Sequence, residues 1–222
     1  MILPTIKDRL MLGALALGTI VFLTAVVRPH YENNHGSSRK MTSVIKVAQA
    51  PGSIETSDSR LAESKAAFLK AYTVFMHPRC MNCHPKGDIP LQGDDSHLHL
   101  QGVQRGPEGK GVLALKCKNC HQDTNLKGNF MPPGNPHWQM PPMNRKMAFE
   151  GKSPKQLAQH FLDNDFTGFK KMEDMIEHVE TESLVLNSFV PIDGRATLPM
   201  SHEEFVATVK EWIEKGAAIP DK

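Results

Sequence analysis

Several things are scarce in this chain, and each scarcity excludes something. The formal net charge is only +2, which excludes a surface built to hold a polyanion, and no basic stretch interleaved with aromatics favours nucleic acid. Aromatic residues make up only 6% of the chain, so a core of ordinary size needs bulk from elsewhere. No segment alternates apolar and polar residues over a strand's length, which argues against a sandwich or barrel and for a mainly α class with long loops. Cysteine is limited to four residues, and their spacing is not that of an iron–sulfur cluster.

Those four cysteines all fall into one frame. Cys80-Met81-Asn82-Cys83-His84 and Cys117-Lys118-Asn119-Cys120-His121 are both Cys-x-x-Cys-His strings. That spacing lets two thiols add across the two vinyl groups of a haem as thioethers, while the adjacent histidine offers a nitrogen to the iron. The expected cofactors are two covalently bound haem c groups, held by Cys80, Cys83, Cys117 and Cys120 and ligated by His84 and His121. Their propionates would make the nearby surface more acidic than the sequence itself. A redox Cys-x-x-Cys pair belongs in a βαβ setting, which is absent. A zinc site using all four thiolates would leave both histidines unexplained and would span 33 residues between the pairs. Only 32 residues separate His84 from Cys117, too few for a cytochrome domain around each haem, so the two are expected to share one core.

Leu10 to Val27 is eighteen residues without a charge, preceded by Lys7 and Arg9 and followed by Arg28. At about 1.5 Å per residue this is the lower limit for a membrane-spanning helix. The reading is a single-pass anchor, with residues 1–9 cytoplasmic and the rest on the periplasmic side of a bacterial inner membrane. The alternative is a cleaved signal and a soluble periplasmic protein, but Val26-Val27-Arg28-Pro29 lacks the small residues that cleavage needs. Residues 28–57 read as a flexible tether, and 58–222 as the dihaem domain.

Within that domain a helix is expected from about Ser59, with Leu61, Phe68, Leu69, Tyr72, Phe75 and Met76 at helical spacing, Ser57 to Ser59 as candidate N-caps and Pro78 as its stop. Residues 85–130 read as loops. Ser153-Pro154-Lys155-Gln156 is a capping box with proline at the first helical position, and Leu157, Phe161 and Leu162 give that helix its apolar face. A further helix is expected over 169–180, with Met172, Met175, Ile176 and Val179 inward. The last has Ser201 and Glu204 as a capping box, Met200 and Phe205 as a staple, and Gly216 at its end.

Each iron of a pure electron carrier needs a second axial ligand, and methionine there raises the potential relative to histidine. Between the motifs stands His97-Leu98-His99, from which His99 is the expected ligand and His97 the reserve. After the second motif come Met131, Met140, Met143 and Met147, from which Met147 is expected because it precedes a capped helix. His178 and His202 are further reserves. A solvated loop histidine, or a methionine that merely packs, is the alternative at each position.

From Tyr72 onward the chain resembles a group of bacterial dihaem c-type cytochromes labelled isoquinoline 1-oxidoreductase subunits. The residues that carry the likeness are Met-His-Pro-Arg-Cys-Met-Asn-Cys-His-Pro from Met76, Pro-Leu-Gln-Gly-Asp-Asp from Pro90 and Cys-Lys-Asn-Cys-His-Gln from Cys117. Glu211-Trp212-Ile213 with Gly216-Ala217 is similar to the last helix of many cytochrome c domains. The resemblance implies a cytochrome c-like fold and an accessory role beside an exported molybdenum hydroxylase. The chain cannot itself be that hydroxylase, because it has no cysteine outside the haem motifs.

The expected function is single-electron transfer, not enzymatic turnover. The donor would be an exported dehydrogenase or a quinol-linked protein, and the acceptor another cytochrome or an oxidase of the respiratory chain. The rival is a small dihaem enzyme of peroxidase or oxidase type, which would need one iron with an open sixth position.

Overall fold

The structure is a computed structural model and describes residues 56–222. The expected anchor, and the expected tether as far as residue 55, lie outside the described residues. Among the described residues no helix is long and apolar enough to cross a membrane.

The longest element, α1 (Ser57–Phe75), starts on Thr56, whose hydroxyl accepts from the Ser59 amide at 3.2 Å. Thr56 thus takes the capping place expected of Ser57 to Ser59. The helix buries Ser64, Ala67, Phe68, Ala71, Val74 and Phe75, a stripe at three- and four-residue steps. Leu61 and Leu69, expected inward, are exposed. Its partner is α7 (His202–Glu214), which buries Phe205, Thr208, Val209 and Trp212. Phe68 meets Trp212 at 4.8 Å between ring centroids and Phe75 meets Phe205 at 5.3 Å, so the two helices run antiparallel. Burying one such ring stabilises by about 1.5–3 kcal/mol before entropy losses. At the far end the Ser64 hydroxyl donates to the Trp212 carbonyl at 2.8 Å and accepts from the Ala218 amide at 2.9 Å. The chain leaves α7 through Gly216, whose φ of 108° a side chain would strain.

The cap of α7 is half of what its sequence suggests. Ser201 accepts from the Glu204 amide at 3.1 Å, but the Glu204 carboxylate reaches Lys70 of α1 at 2.6 Å. By contrast both halves of the capping box form on α3 (Pro154–Phe161). That helix buries Leu157, Ala158 and Phe161, while Leu162, expected on the same face, is the exposed C-cap.

Pro78 does not simply stop α1. That helix ends at Phe75, and Pro78 occupies the first turn of a separate short helix, α2 (Pro78–Met81), with His77 as its N-cap. Cys80 therefore sits on a helix. A turn, α4 (Asn164–Thr167), follows α3, and α5 (Glu173–Thr181) starts four residues later than expected, burying Met175 and Val179. The sequence reading missed α6 (Ser183–Phe189), which is capped by the Glu182 carboxylate accepting from the Leu184 and Val185 amides.

Residues 85–130 are mainly loop, as expected, but two small antiparallel hairpins interrupt them. Strands β1 (Leu91–Gln92) and β2 (His97–Leu98) form one, and β3 (Gly111–Val112) and β4 (Leu115–Lys116) the other. Two-residue strands are too short to show any alternation. Among the described residues the fold is mainly α, with seven helices and little strand.

Candidate functional site

The two Cys-x-x-Cys-His strings are built alike around their histidines. His84 Nδ1 lies 2.8 Å from the Met147 carbonyl, and His121 Nδ1 lies 2.7 Å from the Pro133 carbonyl. A carbonyl can only accept, so Nδ1 carries the proton in both rings and Nε2 keeps its lone pair. Each ring also lies flat on an aromatic side chain. His84 stacks on Phe149 at 3.9 Å and 2°, and His121 on Trp138 at 4.0 Å and 7°. Tautomer and plane are thus both set, as a metal-binding imidazole requires.

Burial keeps these rings neutral. It pushes His84 down to about 4, against the hydrogen bond to Met147, with the charges of His178 and Arg105 adding to the shift. It pushes His121 down to about 4 as well, against the bond to Pro133, with His99 and Lys118 adding. Neutral imidazole is the form that ligates.

All four cysteines are free thiols. Burial raises Cys80 to about 12; it raises Cys83 to about 11, with the nearby Cys117 adding, and raises Cys117 too. Cys83, Cys117 and Cys120 line one cleft with His121 and His99. The two motifs therefore adjoin, as the short spacing between them suggests. Among the described residues no three His, Cys, Asp or Glu side chains converge as a metal site. The four thiols accordingly do not gather around one ion as a zinc site would need.

The expected and reserve ligands are distributed as follows. His99 lines the cleft opposite His121, with ring centroids 6.4 Å apart and planes at 55°. Its Nδ1 is buried without a partner. Met147 meets His84 through its backbone carbonyl, so the chain there passes on the Nδ1 side of the ring, away from the free Nε2. His97 Nδ1 bonds Asp95 at 2.7 Å. His202 Nε2 donates to the Val179 carbonyl at 2.8 Å, and its ring meets Phe189 edge-on, which makes it a core histidine. His178 stands on the last turn of α5. Its own ring packs near Phe169, and burial pushes its basicity down.

Three residues of the site were missed by sequence reasoning. Phe149 and Trp138, which orient the two histidines, carry no spacing that links them to the motifs. Arg105 is fully buried. Its guanidinium donates to the Pro141 carbonyl at 2.7 Å and the Gly87 carbonyl at 3.0 Å, tying together loops beside the first motif. An arginine in a Gly-rich loop would ordinarily be read as solvated, and only its burial shows otherwise.

A fit to haem can be judged from these donors. Each motif offers two thiols and one neutral imidazole with Nε2 free, and the cleft beside the second is lined by Leu91, Val103, Met131, Met140 and Leu184. These apolar side chains suit a large flat apolar group, and Arg79 and Arg195 in the same lining add polar groups at its edge. The residues fit. The chain matches no family model, no curated protein and no solved structure.

Proposed function

We propose that this chain is a dihaem c-type cytochrome that carries single electrons. The observation that supports it best is the duplicated histidine construction. Two Cys-x-x-Cys-His strings, unlike in surroundings, each end in an imidazole with Nδ1–H on a backbone carbonyl, a flat aromatic behind it and Nε2 free. Cys80 and Cys83 would hold one haem and Cys117 and Cys120 the other, with His84 and His121 on the irons. Bound haem supplies reversible one-electron exchange at iron.

The residues around these donors do the rest. The Met147 and Pro133 carbonyls pull on Nδ1–H and make the opposite nitrogen a stronger donor. For the second haem, His99 would supply the further ligand, since it lines the same cleft as His121 with ring centroids 6.4 Å apart. For the first haem, the reserve His178 would take the place expected of Met147, because the Met147 carbonyl lies on the Nδ1 side of His84, away from Nε2. With both sixth positions filled, the protein would be a carrier rather than an enzyme with an open iron.

The partners follow from the motif resemblance. They are an exported dehydrogenase, with a molybdenum hydroxylase as the resemblance implies, or a quinol-linked donor, and on the other side the respiratory chain. The apolar run 10–27 would hold the domain at the periplasmic face of the inner membrane.

Low-temperature electron paramagnetic resonance of the oxidised, fully loaded protein tests this reading. Two low-spin irons with bis-histidine near-infrared bands are expected. His178→Gly should turn the first iron high-spin, while Met147→Leu should leave it low-spin. A high-spin iron in the unmutated protein would instead favour the dihaem enzyme, and absence of covalent haem would end the proposal.

A further inference from the structure

The cleft beside the second motif holds two guanidinium groups and too little negative charge for them. Arg79 directly precedes Cys80. Its Nη1 donates to the Ser188 carbonyl at 2.9 Å and the Val190 carbonyl at 2.7 Å, which fastens it to the end of α6. Its other two nitrogens, Nε and Nη2, are buried and have no partner. Arg195 lines the same cleft, with Nε on Asp94 Oδ1 at 2.8 Å. The second oxygen of Asp94 accepts from the Ala196 amide at 2.9 Å, so that carboxylate is already engaged. Burial makes the Arg79 charge costly, and repulsion from Arg195 adds to that cost, which the nearby Asp94 offsets only in part.

A guanidinium does not shed its proton to escape such a position. A buried, unpaired charge costs several kcal/mol unless a counter-charge arrives. The free edge of Arg79, Nε with Nη2, presents two parallel donors, which is the pattern a carboxylate accepts through both its oxygens. Haem brings two carboxylates of its own, on the edge away from the vinyl groups that cysteines capture. This step rests on the dihaem reading. Given that reading, we infer that Arg79, supported by Arg195, binds a propionate of the haem attached at Cys117 and Cys120 and raises its reduction potential. The sign follows from electrostatics. Oxidised iron carries one more positive charge than reduced iron, so a nearby cation disfavours oxidation, and water excluded from the cleft weakens screening.

The test is a spectroelectrochemical titration of the full chain with both haems loaded. The second haem is identified as the one whose potential moves in His99→Met. Arg79→Gln is expected to lower that potential by about 59 mV, a tenfold change in the ratio of oxidised to reduced protein, with the first haem moving less. Arg79→Lys should recover part of the shift, because it restores charge without the paired donors. Arg195→Gln leaves the carbonyls of α6 alone and should lower the same potential by a smaller amount, so the test survives if Arg79→Gln fails to fold. Unchanged potentials in both glutamine variants, or a shift confined to the first haem, would overturn the inference while leaving the dihaem reading intact. A wild-type potential that responds to added acetate would also overturn it, because the edge would then be taking a free carboxylate. A chain without covalent haem would remove both.

Discussion

The segment around Cys80 and the segment around Cys117 share a five-residue frame, yet the first is set among helices and the second among loops. Cys80 lies on α2 and packs against the main core, and the ring behind His84 is Phe149, itself in contact with Phe75 and Phe161. Cys117 begins a three-residue turn after a two-residue strand, Cys120 is exposed, and the ring behind His121 is Trp138, which lies outside that core. Large apolar side chains are exposed in both halves, but the most exposed of them, Leu98, Leu100, Leu113 and Phe130, all belong to the loop-rich half. The same five-residue motif thus stands in one place against a core the protein makes itself and in the other among loops that leave more apolar surface exposed.

The largest effect expected from that contrast comes from removing the second attachment site. Cys117→Ser with Cys120→Ser should leave one haem per chain and keep the α1–α7 pair folded, while amides across 86–147 lose hydrogen-exchange protection. Equal loss of protection in both halves would break the comparison. Next in size are the two tryptophans. Trp212→Ala should cost about 3–5 kcal/mol in urea unfolding, because it opens a cavity under Phe68 and Phe161. Trp138→Ala, from a half-buried site, should cost about 1–2 kcal/mol and show itself mainly as a changed resonance of the second haem. If Trp138 proved as costly as Trp212, the loop half would have a core of its own.

Arg105→Leu should cost about 2–3 kcal/mol, because the Pro141 and Gly87 carbonyls lose their donor. The loss should appear as weaker protection of the Lys86 and Met143 amides ahead of the helices. The smallest effect is at the cap of α3. Ser153→Ala should lower unfolding stability by about 1 kcal/mol without altering either haem, since both halves of its capping box form remote from the cysteines.

Much of the helical half was legible because its signals are local. Ser153 and Gln156 are three residues apart, and Ser201 and Gly216 bracket a run with one apolar face. Each of those patterns acts within a turn or two of chain. Where the reading slipped, a distant group had intervened. Glu204 was expected to close its own capping box but pairs with Lys70, which is far away in sequence. The helix α6 went unseen because its cap is a glutamate, a residue whose side chain is seldom read as a cap. Met147 was expected for its sulfur; what the structure shows at the site is its carbonyl on His84, and a backbone atom leaves no mark in the sequence.

What the sequence determined by itself is the chemistry on offer. Four thiols in two identical frames, each followed by histidine, place two thiols and an imidazole within five residues of chain, twice over. Helix class and helix ends are also local properties, governed by spacing and caps. Only the tertiary structure decided which groups face those histidines, because Met147, Pro133, Phe149 and Trp138 reach them across loops of no fixed length. It alone brought His99 opposite His121 and left two nitrogens of Arg79 buried without partners. Such contacts depend on how the chain closes on itself, and the residues between them carry no periodic signal from which the closure could be read.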